Sequence, residues 1–370
     1  MEANFFDNGF NLSEPDDEVT TLALVSLKTA LRAFFTTYAN VRPYWSSITK
    51  ESEIPQEEAD QTYRRSSYYE NYVEAIVHFQ HFAELSCLDL LRREHPLLTT
   101  SKSNDHVNLW KSIRDVNPDW NAIKKRGTAN FETILWRLQT LIAVTEINLG
   151  EGTLTFFDDK QRDNLIKLRE QRDHLLHRGV FILRYDALDQ FIGQYILPFV
   201  IGITNLPFYS TKNYLWRYKK LACKRKDGAI VDPLNSIFEV FSKGYDPKEV
   251  ALYKEMGRAA YRNPLPQASQ LKGFGSSTYR QIRPQAEKRA QSLALEYEAW
   301  DIRKCPVCDI KTLLLYGEIE VEGDDPLSPE KIYHFTNAAE CTCCGFSIDK
   351  SIKNLKEYNI DEDDYWLPRE

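Results

Sequence analysis

The stretch Leu165 to Gly179, LIKLREQRDHLLHRG, decides how this chain is read. Leu165, Leu168, Leu175 and Leu176 recur at helical spacing, the apolar stripe of an amphipathic helix. Arg172 falls inside that stripe, four residues from both Leu168 and Leu176. A guanidinium on a buried face is costly unless it is paired or faces a cleft. Asp173, His174 and His177 stand beside it, and Gly179 is placed to close the helix. His177 then lies in the last turn, where the helix dipole favours an imidazolium.

Working outward, the same periodicity recurs. Leu24, Leu27, Leu31, Phe34 and Tyr38 make one stripe. Tyr72, Ile76, Phe79, Ala83, Cys87 and Leu90 make a second, stopped by Pro96, and Phe131, Leu135, Leu138 and Ile142 a third. Pro43 to Gln61 reads as a loop. A helix from Asp186 carries Leu188, Phe191, Tyr195 and Phe199 and is expected to kink at Pro198. Alternation of period two is nearly absent before the C-terminal region. The expected fold class is mainly α: an antiparallel helical bundle followed by a small C-terminal β module.

Arg172-Asp173-His174-Leu175-Leu176-His177 resembles the R-x4-6-H motif of the HEPN superfamily, with Asp173 as the polar residue that often follows the Arg. The resemblance covers roughly residues 20–206. It implies an all-helical domain and, as in many members, a metal-independent endoribonuclease working as a homodimer. Arg172 would then hold the scissile phosphate and His177 transfer a proton, with Asp173 and His174 in support. The residue types suit that work: imidazole titrates near neutrality, and guanidinium is a permanently charged planar fork. The implied products are a 2′,3′-cyclic phosphate and a 5′-hydroxyl. The implied setting is a toxin or an anti-phage defence effector answering to a regulatory or phage-derived partner. In one HEPN class the motif runs R-x4-H-x-Y and the Tyr is modified; here Arg178-Gly179 follows His177, so that Tyr is missing. The competing reading is a non-catalytic helical and zinc-ribbon module that binds RNA or protein.

The chain has 370 residues and a net charge of −7, which excludes a uniformly basic nucleic-acid coat. Residues 1–19 are acidic, as are residues 351–370, and both read as solvated tails. The apolar run Phe191 to Ile203 contains Gln194 and Pro198 and is short for a bilayer, and no signal peptide stands out. A cytoplasmic protein with no membrane partner is expected. Between the tails, the expected organisation is a helical domain over 20–206, a basic helical or linker region over 207–300, and a zinc ribbon over 301–350.

Lys212 to Lys226, KNYLWRYKKLACKRK, holds seven basic residues and no acid. Lys212, Trp216, Arg217, Lys219, Lys220, Lys224, Arg225 and Lys226 are candidate RNA-binding residues, since charge can hold phosphates while rings stack on bases. The alternative is an amphipathic element whose aromatics pack inward. Met256 to Ala286 contains no acid and reads as a linker, with a helix from Gln285 to Trp300. Then comes Cys305-Pro-Val-Cys308, followed after 32 residues by Cys341-Thr-Cys343-Cys344-Gly345. Paired knuckles suit a tetrahedral Zn²⁺. Cys305, Cys308, Cys341 and Cys344 are the expected ligands of a structural zinc, with Cys343 as the spare that can replace Cys341 or Cys344, and His334 as an outside candidate. Leu313 to Val321 and Lys331 to Phe335 are the expected strands. No catalytic metal is expected.

Overall fold

The computed structural model describes residues 17–49, 53–101, 127–143, 154, 156–177, 181–224, 228–265, 275–322, 331–349 and 352. In chain order its helices are α1 (Glu18–Val41), α2 (Trp45–Thr49), α3 (Gln56–Arg65), α4 (Tyr68–Glu94), α5 (Phe131–Ala143) and α6 (Asp159–His177). There follow α7 (Tyr185–Gln190), a π-helical stretch Phe191–Ile196, α8 (Leu197–Asn205), α9 (Pro207–Ser210), α10 (Pro233–Lys243), α11 (Pro247–Arg262) and α12 (Gly275–Glu296). The strands are β1 (Asp301–Lys304), β2 (Lys311–Glu322), β3 (Lys331–Cys341) and β4 (Ser347–Asp349), one antiparallel sheet in the order β1-β2-β3-β4. The protein is thus mostly helical with a small sheet near its C-terminal end.

Three local expectations need correcting. The loop expected over 43–61 contains α2 and the start of α3. The linker expected from Met256 to Ala286 is helical as far as Arg262 and again from Gly275, with 266–274 outside the described residues. α11 is set by Asp246, whose carboxylate accepts from the amides of Lys248 and Glu249, with Pro247 in the first turn. The kink expected at Pro198 is a π-helical stretch just before it. The wider turn fits a chain that must lose an amide donor at the proline.

The chain divides into two compact units, neither of them one stretch of sequence. Unit 1 comprises Met1–Leu31, Tyr72–Ile182 and Tyr195–Arg217; unit 2 comprises Arg32–Asn71, Leu183–Gln194 and Tyr218–Glu370. In unit 1, Leu24, Leu27, Phe79, Phe82, Leu135, Leu165 and Phe199 are fully buried. Asp89 is buried among them, its Oδ2 accepting from Thr20 (2.8 Å), Tyr209 (2.9 Å) and Arg93 (3.0 Å). One carboxylate so ties α1, α4 and α9.

In unit 2, every α11 residue from Val250 to Ala260 is buried, charged ones included. Lys254 donates to Asp189 at 2.6 Å, both completely buried, and its ammonium lies over the rings of Phe34 and Tyr185. Burial pushes Asp189 up to about 6 and Lys254 down to about 8, each against the pull of its partner. Lys254→Met would leave the Asp189 carboxyl buried without its counter-charge and should cost about 3–5 kcal/mol in urea denaturation. Adding Asp189→Leu should recover most of that loss.

Candidate active site and metal centre

Helix α6 begins where Asp158 accepts from the Gln161 amide at 2.7 Å, and Gln161, Asn164, Leu165 and Leu168 face inward. The inward stripe stops there. Leu175 is half-buried and Leu176 is 52 % exposed, so the apolar face does not reach the helix end as its sequence suggested. That leaves Arg172 half-buried and both His174 and His177 exposed. Arg172 donates to Asp173 at 2.6 Å, and Asp173 also pairs with Arg169 at 3.6 Å. Among the described residues no hydrogen bond joins Asp173 to His177, so the carboxylate positions the guanidinium. The helix stays regular through His177, and five residues turn it by about 140°. Gly179, expected to cap it, lies outside the described residues.

Helix α4 brings near Arg172 a group that lies outside the R-x4-6-H spacing. Burial lowers the pKa of His81; Glu84 opposes this, and the charges of His78 and Arg172 add to it. Ser26 Oγ and His81 Nδ1 are hydrogen-bonded at 2.8 Å. The available signal was His78-Phe79-Gln80-His81, two imidazoles three residues apart beside a buried stripe. Unit 1 therefore gathers a guanidinium held by a carboxylate, an imidazole below its ordinary pKa, and two exposed imidazoles at the end of one helix.

The basic stretch is divided between the units: Lys212, Trp216 and Arg217 belong to unit 1, Lys219, Lys220 and Lys224 to unit 2. Arg225 and Lys226 lie outside the described residues. Trp216 is 1 % exposed and donates to Asn213 at 3.0 Å, so its ring is core and not offered to a base. Lys212 pairs with Asp17 at 2.5 Å, and Lys219 donates to the carbonyls of Asn263 and Leu265. Arg217, Lys220 and Lys224 are exposed. Trp216→Ala should accordingly destabilise the fold by about 3–5 kcal/mol. Lys220→Gln with Lys224→Gln should instead leave the melting temperature unchanged and, if this surface holds RNA, lower the salt slope of binding by about 1.4.

The four expected cysteines do converge. The sulfurs of Cys305, Cys308, Cys341 and Cys344 all lie within 4.8 Å of one another, all four residues are buried, and they could hold a metal ion. Cys305 and Cys344 sulfurs are 3.6 Å apart and those of Cys308 and Cys341 3.7 Å. A tetrahedron with metal–sulfur bonds of about 2.3 Å has edges of about 3.8 Å. Each pair sits in a tight turn whose amide points back at the first sulfur: Val307 to Cys305 at 3.4 Å, Cys344 to Cys341 at 3.5 Å. Each turn is followed by a left-handed residue, Asp309 at φ +59° and Gly345 at φ +72°. Cys343 stays half-exposed outside the set, and the side chain of His334 lies outside the described residues. Thiol hydrogen bonds hold Cys308 well below the usual range, and that from Cys305 brings Cys341 down to about 7; burial pushes Cys305 up.

The centre is fastened to its unit at two points. Cys223 and Ala222 amides donate to Pro306 (2.8 Å) and Val307 (3.2 Å). On α11, Arg258 donates to the Gly345 carbonyl, and Glu255, which also holds Arg258, accepts from the Ser347 amide at 2.7 Å.

Two helical stretches, Glu18–Thr49 and Tyr185–Asn205, are long and apolar enough to cross a membrane, but 61 % and 56 % of their apolar windows are buried inside the protein, as core helices are. Compared with family models, curated proteins and solved structures, the chain matches none.

Proposed function

We propose that the chain is a metal-independent endoribonuclease of HEPN type, carrying a separate structural zinc. What supports this reading is one observation: Arg172 stands at the end of α6 with a carboxylate to position it, exposed imidazoles beside it and His81 near it. RNA cleavage by the 2′-hydroxyl needs a base to activate that hydroxyl, a cation for the phosphorane and an acid for the 5′-oxygen. Arg172 supplies the cation and His177 accepts the 2′-hydroxyl proton, while the departing 5′-oxygen takes its proton from water. Since the two project about 140° apart, the cleft is completed in a homodimer, where Arg172 of one copy and His177 of the other can face one phosphate. Cys305, Cys308, Cys341 and Cys344 would hold Zn²⁺ in a closed shell, with no position left for water or substrate, so its contribution is to folding.

The test is direct. Purified protein incubated with labelled total RNA should give fragments ending in a 2′,3′-cyclic phosphate, and it should leave DNA, which lacks the nucleophile, intact. Brief EDTA treatment that does not unfold the protein should not stop cleavage. A wild type that binds RNA tightly and never cuts it would favour the non-catalytic module, a reading supported by the pairing of Arg172 with Asp173 within a single chain.

A further inference from the structure

A cavity of about 790 Å³ opens beside the cysteine centre, wholly within unit 2. That volume is in the range of small-molecule sites, and the hollow is open to solvent, with Arg289, Tyr297 and Glu340 exposed. One wall is α12 and the turn that follows it: Arg289 and Leu293 on the helix and Tyr297 just past its end, its amide donating to the Leu293 carbonyl at 2.9 Å, follow at four-residue steps. The adjoining face of α12 packs Ala290 and Ala294 on Leu314 of β2, which fixes how the stripe is presented. The opposite wall is the sheet. Leu314 pairs with Glu340, and Tyr316 is two residues on, so these three side chains share a face.

The cavity has two chemically different ends. Arg262, the last residue of α11, lies with its guanidinium against Gly345 at the second knuckle. Arg289 is toward the same end, because Arg283, earlier on α12, reaches the Asp309 carbonyl at the first knuckle. Tyr297 is at the other end, two helical turns or about 12 Å further, where Trp300 donates to Leu315. Tyr316 lies there too, close enough to feel both Glu340 and Tyr297. Among the described residues neither Arg262 nor Arg289 forms an ion pair, although the cavity lining also carries Glu340. Two cations without an ion-pair partner among the described residues at one end, two phenol rings at the other and a carboxylate in the lining match a molecule with a phosphate, an aromatic plane and ring N–H donors.

We infer that this cavity binds a guanine nucleotide, with the phosphate on Arg262 and Arg289, the base against Tyr297 and Tyr316, and its edge on Glu340. The carboxylate makes the choice of base. Guanine alone of the common bases offers two N–H groups, N1–H and N2–H, on one edge, which a carboxylate accepts as a pair. Adenine presents the N1 lone pair at the corresponding place, which a carboxylate repels. The nucleotide can be free or one residue of a single strand. The inference rests on the cavity alone and does not depend on the nuclease reading.

The test uses the metal-loaded 370-residue chain and titrates GMP, AMP and guanosine by calorimetry, with the pentanucleotides UUGUU and UUAUU as a second arm. GMP should bind at least about tenfold more tightly than AMP, the discrimination expected of a paired edge contact, and more tightly than guanosine. Arg289→Gln, on the exposed side of its helix, should remove the advantage of GMP over guanosine. Glu340→Gln should remove the preference for guanine and keep binding. Tyr297→Ala should weaken both nucleotides roughly tenfold. If UUGUU binds and GMP does not, the guanine belongs to a strand, and the same variants must act on UUGUU. Equal binding of GMP and AMP, or of UUGUU and UUAUU where only strands bind, overturns the proposal, as does no binding of any probe. So does an Arg289→Gln variant that binds GMP normally but loses metal faster to a chelator, since the arginine would then only balance thiolate charge.

Discussion

Purified without added metal, the 370-residue chain should carry about one equivalent of zinc, and Cys305→Ala with Cys308→Ala should abolish it and unfold more than the knuckles. Metal binding in such a site is folding free energy, with apparent values of about 10–16 kcal/mol for small zinc modules. Four buried sulfurs within 4.8 Å of one another have little other means of meeting at that spacing without mutual repulsion once ionised. The consequence should extend along α11. Glu255 and Arg258 are buried there, and their partners outside the helix are the Ser347 amide and the Gly345 carbonyl in and beside the second knuckle. Once that turn loosens, two charged groups lose the contacts that offset their burial. Hydrogen exchange over Pro247–Arg262 should therefore be slow in the metal-loaded protein and speed up on chelation, together with exchange over Lys311–Cys341. Fast exchange confined to the knuckles would mean that α11 stands without the metal. A zinc content near zero, with all the knuckle thiols open to alkylation in the folded protein, would remove the metal centre altogether.

Much of this was readable in the residues, and the failures have physical causes. The stripes Leu24 to Tyr38 and Tyr72 to Leu90 are buried as written because a single face of a helix can be counted from spacing alone. The knuckles were readable because a C-x2-C turn carries its own geometry. Helix α11 was missed because it is buried on all sides, which leaves no contrast between faces, and because Lys254, Glu255 and Arg258 look like a solvated surface until Asp189, Gly345 and Ser347 are seen beside them. Asp246-Pro247 was the local signal that could have found it. Trp216 was misleading for the opposite reason. A basic stretch with interleaved rings looks like a nucleic-acid surface, yet the ring is core. His81 could not be joined to Arg172 by any sequence rule, because 91 residues separate the two positions and only packing brings α4 to α6. The cavity beside the cysteines is of the same kind: its two arginines come from α11 and α12, and their relation is set by the sheet.

Arg172→Ala should lower RNA cleavage roughly 10²- to 10³-fold, the usual effect of removing one charge-stabilising donor, and His177→Ala roughly 10²- to 10⁴-fold, the range of general acid–base catalysis. Neither change should alter helical circular dichroism. His177 is exposed in the last turn of α6 and Arg172 is only half-buried, while the residues that seat the helix, Gln161, Asn164, Leu165 and Leu168, lie two turns or more earlier than His177. Arg172→Lys should remain poor, because an ammonium cannot make the bidentate contact of a planar fork. The dimer makes a sharper demand. If one cleft draws Arg172 from one copy and His177 from the other, an Arg172→Ala chain mixed with a His177→Ala chain should recover activity that neither has alone, since one of the two clefts in the mixed dimer is intact. Titrating either variant into wild type should not abolish activity in the resulting mixed dimers, for the same reason. His81 provides the control. Should the proton be carried within one chain by His81, His81→Gln would silence the enzyme, His177→Ala would spare it, and mixing would restore nothing. Full cleavage by His177→Ala together with full cleavage by His81→Gln would remove both imidazoles from the chemistry and leave Arg172 as an ordinary surface pair with Asp173.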